Sequence, residues 1–146
     1  MATFTLHASI DAPIDLVFDV LTDHRGHAKM TALRSSTLEQ EGEPAPNGVG
    51  AIRVLHLVGP PIRERVTTFD RPRLFEYEML SGAPIRTHTA TVELAPEGGR
   101  TALTWRVESI PSIPVPDAAW SAVVRLVINH LLHGVVKESE RQAAAG

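Results

Sequence analysis

The chain of 146 residues is 43% apolar and 21% charged, the balance of a globular domain with its own core. A formal net charge of −3 gives no basic footprint for nucleic acid. The absence of cysteine excludes disulfides, thiolate catalysis and cysteine-ligated zinc.

The length argues for one domain over residues 1–146. Residues 1–7 lack the charged and apolar regions of a signal peptide. No apolar run reaches the roughly 20 residues of a membrane span. The best candidate, 122–136, is interrupted by Arg125, Asn129, His130 and His133. The expectation is a cytoplasmic protein without a membrane span.

Residues 3–10 alternate, with Phe4, Leu6, Ala8 and Ile10 on one face, which predicts a half-buried strand. Asp11-Ala12-Pro13 starts a helix, with Pro13 suited to its first position and Asp15 favoured by the dipole. Ile14, Val17, Phe18 and Leu21 give it a buried stripe. A short second helix or turn is expected over 23–31, and an edge strand over 35–40. Residues 42–50 hold two prolines and three glycines and read as a loop.

Five strands are then predicted over 51–57, 62–69, 74–80, 85–94 and 101–107. The turns between them carry Gly59-Pro60-Pro61, Asp70-Arg71-Pro72, Ser81-Gly82-Ala83-Pro84 and Pro96-Glu97-Gly98-Gly99. Pro111, Pro114 and Pro116 form a stiff connector. A long helix follows from Asp117 to Arg141, and 138–146 is expected to fray. At about 100° per residue, Trp120, Val123, Val124, Val127, Ile128, Leu131, Leu132 and Val135 fall on one broad apolar face. His130 flanks that face, while Asn129 and His133 point to water.

The expected fold is α+β: a curved antiparallel sheet of about seven strands wrapped around a long C-terminal helix. Two short helices follow the first strand. Such a sheet makes a cup with an apolar inside, a natural small-molecule pocket.

Several stretches carry a family likeness: Ile10-Asp11-Ala12-Pro13 with Val17-Phe18, Gly50-Ala51-Ile52-Arg53, Arg63-Glu64-Arg65-Val66 with Asp70-Arg71-Pro72, Tyr77, Gly82-Ala83-Pro84, and the run from Gly99 to Trp105. In this order they resemble the SRPBCC (START-like, helix-grip) superfamily, in its polyketide cyclase/dehydrase-like branch. The resemblance covers nearly the whole chain. It implies a deep cavity between sheet and long helix that takes hydrophobic or aromatic molecules. Only some members are enzymes. After the first helix this chain has Asp23-His24-Arg25-Gly26-His27-Ala28-Lys29-Met30, where many relatives carry tryptophans.

Arg53 and Glu64 fall on successive strands joined at Gly59-Pro60-Pro61, and counting outward from that turn brings them near each other across the ladder. Facing inward, they form either a polar anchor or acid/base pair, or an ion pair that orders the sheet. Phe75, Tyr77 and Met79 share one face, as do His88, Ala90, Val92 and Leu94, and Leu103, Trp105 and Val107. His88 is then an imidazole in an apolar cup, either a general base or a satisfied core residue. Tyr77 and Trp105 are wall residues able to stack on an aromatic ligand. His24-x-x-His27 and His130-x-x-His133 have helical spacing, but no third ligand converges, so no metal and no cofactor is expected.

The leading expectation is binding of a hydrophobic, aromatic or polyketide-like molecule. Tyr77, Trp105, Trp120, Val124, Ile128 and Leu131 would line the site with Arg53, Glu64 and His88. One alternative is a cyclase- or dehydratase-type lyase using His88 or Glu64 as base and Arg53 to stabilise an enolate-like oxygen. The other is a chaperone- or partner-binding module. Leu126, off the apolar face, hints at a homodimer.

Overall fold

The computed structural model describes residues 2–23, 35–56, 61–82 and 84–146. Strand β1 (Ala2–Ile10) leads into helix α1 (Ile14–Thr22). Strands β2 (Ser35–Gln40), β3 (Ile52–His56), β4 (Ile62–Asp70), β5 (Leu74–Ser81), β6 (Ile85–Glu97) and β7 (Arg100–Pro111) follow, and helix α2 (Asp117–Ala145) ends the chain. The seven strands form one sheet in the order β1-β7-β6-β5-β4-β3-β2. Every neighbouring pair is antiparallel. This is the expected helix-grip arrangement. The second short helix expected over 23–31, the turn at 59–61 and the pair His24 and His27 fall wholly or largely outside the described residues.

Period-2 patterning gives the sheet its two faces. In β1, Phe4, Leu6 and Ile10 are buried while Thr3, Thr5 and His7 are exposed. The same inner face carries Val66, Phe75, Tyr77, Ala90, Val92, Leu94, Leu103, Trp105 and Val107, all in the core. The outer face is held by polar links. Arg63 of β4 reaches across β3 to Glu39 of β2 with two bonds, of 2.9 and 2.6 Å. Glu76 accepts from Thr68 at 2.6 Å and from Thr91 at 2.8 Å, tying three strands.

Alternation breaks once in β4. The register passes from Val66↔Tyr77 to Thr68↔Glu76, leaving Thr67 as the extra residue of a bulge. Bulges bend a strand and sharpen its twist. Here the bulge also lets Val66 and Phe69 both turn toward the core. Phe69 then meets Phe18 of α1 edge-on, with ring centroids 5.0 Å apart, and Phe75 closes the cluster at 6.2 Å from Phe69. Arg71 locks α1 from outside through two 2.8 Å bonds to Asp19.

Helix α2 differs from expectation in two ways. Its buried positions are Trp120, Val124, Ile128, Leu132, Val135 and Ser139, a narrow stripe at four- and three-residue spacing, together with Gly134 beside it. Val123 and Val127, expected on the buried face, are 56% and 49% exposed. The reason is contact geometry. The closest backbone neighbours of α2 are β1 and α1, so one line of side chains is covered rather than half the cylinder. Leu131 is partly buried, while Asn129, His130 and His133 are exposed.

The second difference is length. The helix runs to Ala145, past the expected end at Arg141. Residues 138–146, expected to fray, are held locally: Ser139 is fully buried, and Glu140 accepts from the Asp11 backbone N–H at 2.9 Å. By length and composition α2 could also cross a membrane. Its stripe packs on β1 and α1 as the core helix of this fold.

Candidate functional site

Apart from Thr101, which donates to the Ala12 carbonyl at 2.8 Å, the buried polar residues of the sheet lie in one row. Arg53 pairs with Glu64 in the β3–β4 ladder, and Glu64 pairs with Met79 in the next. The β5–β6 ladder ends one residue short of Met79 and His88. His88 then stands opposite Ser109, and Ser109 opposite Ala2. Arg53, Glu64, His88 and Ser109 are all buried. Buried polar and charged groups are costly unless paired, so their partners define what the row can do.

Arg53 donates from Nη2 to Glu64 Oε1 at 3.1 Å. Both side chains are nearly inaccessible, at 3% and 10%. The guanidinium also lies over two aromatic rings, 5.4 Å from the Phe75 centroid and 5.3 Å from that of Tyr77. These are cation–π contacts in a desolvated setting, where they are strongest. Arg53 Nε and Nη1 have no hydrogen-bond partner among the described residues. Burial pushes the Glu64 carboxyl above its usual range, and the charge and hydrogen bond of Arg53 pull the other way.

Tyr77 is the hub of the site. Its ring is tilted against Phe75 at 5.9 Å and against His88 at 6.4 Å. Burial, helped by the Glu64 charge, pushes its phenol far up, so it stays protonated. The indole of Trp105 pulls the phenol slightly the other way, yet Trp105 Nε1 closes no hydrogen bond of normal geometry. His88 is lowered to about 4 by burial, and its Nδ1 has no partner among the described residues. The imidazole is therefore neutral at neutral pH.

The expected residues thus divide. Arg53, Glu64, Tyr77, His88 and Trp105 come together on one wall. Trp120 belongs to the fastening of α2: its Nε1 donates to Ser109 Oγ at 3.1 Å. Val124 and Ile128 are buried on the stripe of α2, and Leu131 sits at its margin. Two members of the site were missed in the sequence, Phe75 and Ser109. Phe75 shares a face with Tyr77 and was visible as a wall residue, though not as a platform for Arg53. Ser109 continues the alternation of Leu103, Trp105 and Val107, but the predicted strand stopped at Val107. Among the described residues, no three His, Asp or Glu side chains group closely enough to hold a metal ion.

Residues 1–140 match the family described as polyketide cyclase / dehydrase and lipid transport. The chain belongs to that family. The polyketide cyclase/dehydrase and lipid transport fold is seen again in solved structures. A START superfamily protein from Mycobacterium smegmatis superposes with a TM-score of 0.85 at 10% identity, covering 97% of this chain and 99% of that one. The protein XoxI from Bacillus cereus gives 0.75 at 17% identity, covering 95% and 96%. A protein from Chromobacterium violaceum gives 0.70 at 18% identity, covering 94% and 96%. Identities this low establish shared fold, and the chemistry must be argued from this chain's residues. No curated protein matches the sequence.

Proposed function

We propose that this protein binds a hydrophobic small molecule, aromatic or polyketide-like, between the inner face of the sheet and α2, in the cytoplasm. One observation carries the reading: buried polar atoms of Arg53, His88 and Trp105 have no hydrogen-bond partner among the described residues, on a wall that is mostly apolar. More than nine in ten buried polar groups in folded proteins are paired, so three such side chains around one tyrosine are a site to be completed by a ligand. Apolar walls supply affinity, and the few polar atoms fix orientation. Native mass spectrometry of freshly purified protein, followed by denaturing release, tests this. A stoichiometric apolar adduct supports it, and protein that neither carries nor takes up any apolar compound contradicts it.

A second reading is a cyclase- or dehydratase-type enzyme, in keeping with the family description. Here Glu64 is favoured over His88. Burial raises the Glu64 carboxyl while the charge and hydrogen bond of Arg53 lower it, and Arg53 beside it would stabilise a developing oxyanion. His88, at about 4, is a weak base at neutral pH. An enzyme would show a rate that titrates with Glu64 and is abolished in Glu64→Gln. A carrier would bind its ligand with little pH dependence.

A further inference from the structure

We propose that the Arg53–Glu64 pair selects ligands bearing a neutral hydrogen-bond acceptor, a ketone or similar carbonyl on an apolar skeleton, and discriminates against carboxylates. This rests on the inner face being a ligand site, and it names the class of ligand.

The argument begins with donors. A guanidinium carries five N–H groups and accepts none. Glu64 engages Arg53 at Nη2. The remaining nitrogens, Nε and Nη1, are buried without a partner among the described residues. Together they present three N–H groups. Trp105 Nε1, next to the same tyrosine, adds a fourth donor. His88 Nδ1 serves as donor or acceptor according to its tautomer. The wall is therefore donor-rich, and the complementary ligand offers oxygen acceptors.

Charge decides which acceptor. The Arg53 charge is already balanced by a carboxylate at 3.1 Å, in a setting where both side chains are at most 10% exposed. A carboxylate ligand would put a second anion beside Glu64 where little water screens it, and would lose its own hydration. A carbonyl accepts from the same nitrogens and adds no net charge. The rings of Phe75 and Tyr77, already in contact with the guanidinium, provide faces for an aromatic skeleton.

Three probes of one skeleton test this at neutral pH by calorimetry: 2-ethylnaphthalene, 2-acetylnaphthalene and 2-naphthoate. The ketone should bind about tenfold or more tightly than the hydrocarbon, the size of a hydrogen bond to a charged donor. The carboxylate should bind at least about tenfold more weakly than the ketone. Equal affinity for ketone and hydrocarbon, or strongest binding of the carboxylate, overturns the inference and leaves the ligand site standing. Failure of all three to bind overturns both. In Glu64→Gln the Arg53 charge is unbalanced, and the order of ketone and carboxylate should reverse. An unchanged order there removes the charge argument. Where that variant does not fold, the wild-type series alone decides.

Discussion

The guanidinium of Arg53 lies 5.3 Å over the ring of Tyr77 while it donates to Glu64 from the neighbouring strand. One cation is thereby held between a π face and a carboxylate, both buried. The pair is worth little as a net source of stability, but breaking it is costly, because a charge is left alone in the core.

Glu64→Leu should therefore destabilise the protein by about 3–5 kcal/mol in urea unfolding. Arg53→Met combined with Glu64→Leu should recover most of that loss, since both charges leave together. Strictly additive single effects in that double-mutant cycle would show that the two side chains do not act as a unit.

His88 makes stability depend on pH. Its folded value, about 4, lies below the ordinary 6.5, so the unfolded chain takes up the proton first. The stabilising contribution is complete above 6.5, fades as the pH falls from there toward 4, and totals about 3 kcal/mol. Glu64 has the opposite sign. Its raised value favours folding below its ordinary 4.5 and loses that contribution as the pH rises through the folded value. Comparing wild type with His88→Gln isolates the histidine. The difference between their stabilities should change between pH 6.5 and 4 and stay flat above. A constant difference across that window would contradict the burial argument.

Gly82 closes the β5–β6 turn at a φ of +108°, and a Cβ there would lie 2.0 Å from the Pro61 carbonyl oxygen. Gly98 also has positive φ, at +57°, but nothing within 4 Å of a Cβ. Gly98→Ala should cost about 1 kcal/mol from backbone conformation alone. Gly82→Ala should cost clearly more, because backbone must also move. Thermal melts of the two variants check the order.

The two sides of α2 should respond differently. Ile128 is buried and Leu126 is 72% exposed. Ile128→Ala should cost about 2–5 kcal/mol, while Leu126→Glu should stay within about 0.5 kcal/mol. A large loss at Leu126 would mean that this face is covered in solution, as a homodimer or a bound partner would cover it.

Much of this was legible in the sequence, for reasons that particular residues make plain. That Arg53 and Glu64 come near each other could be read from two successive strands joined by a short turn, but the register could not: counting outward from 59–61 sets Arg53 against Thr67, whereas the ladder pairs it with Glu64. His88, Tyr77 and Trp105 could be placed inward because alternation fixes a face. Three features were hidden. The Thr67 bulge shifts the alternation by one, so both Val66 and Phe69 face inward, and no composition cue marks it. The length of β7 was underestimated because Glu108 and Ser109 look like turn residues, although they continue the ladder to β1 and β6. The apolar arc of α2 gave its direction but not its coverage, since Val123 and Val127 belong to the same arc as Val124 and Ile128 and are left outside the contact.

The most direct test uses the two tryptophans. The Trp120 indole N–H is already bonded to Ser109, whereas that of Trp105 has no partner among the described residues. In 15N–1H spectra, titration with 2-acetylnaphthalene should shift the Trp105 indole resonance and the backbone amides around Tyr77 and His88. The Trp120 indole should stay nearly still. Shifts confined to the exposed side of α2, or no shifts at saturating ligand, would contradict a ligand site on the inner face of the sheet.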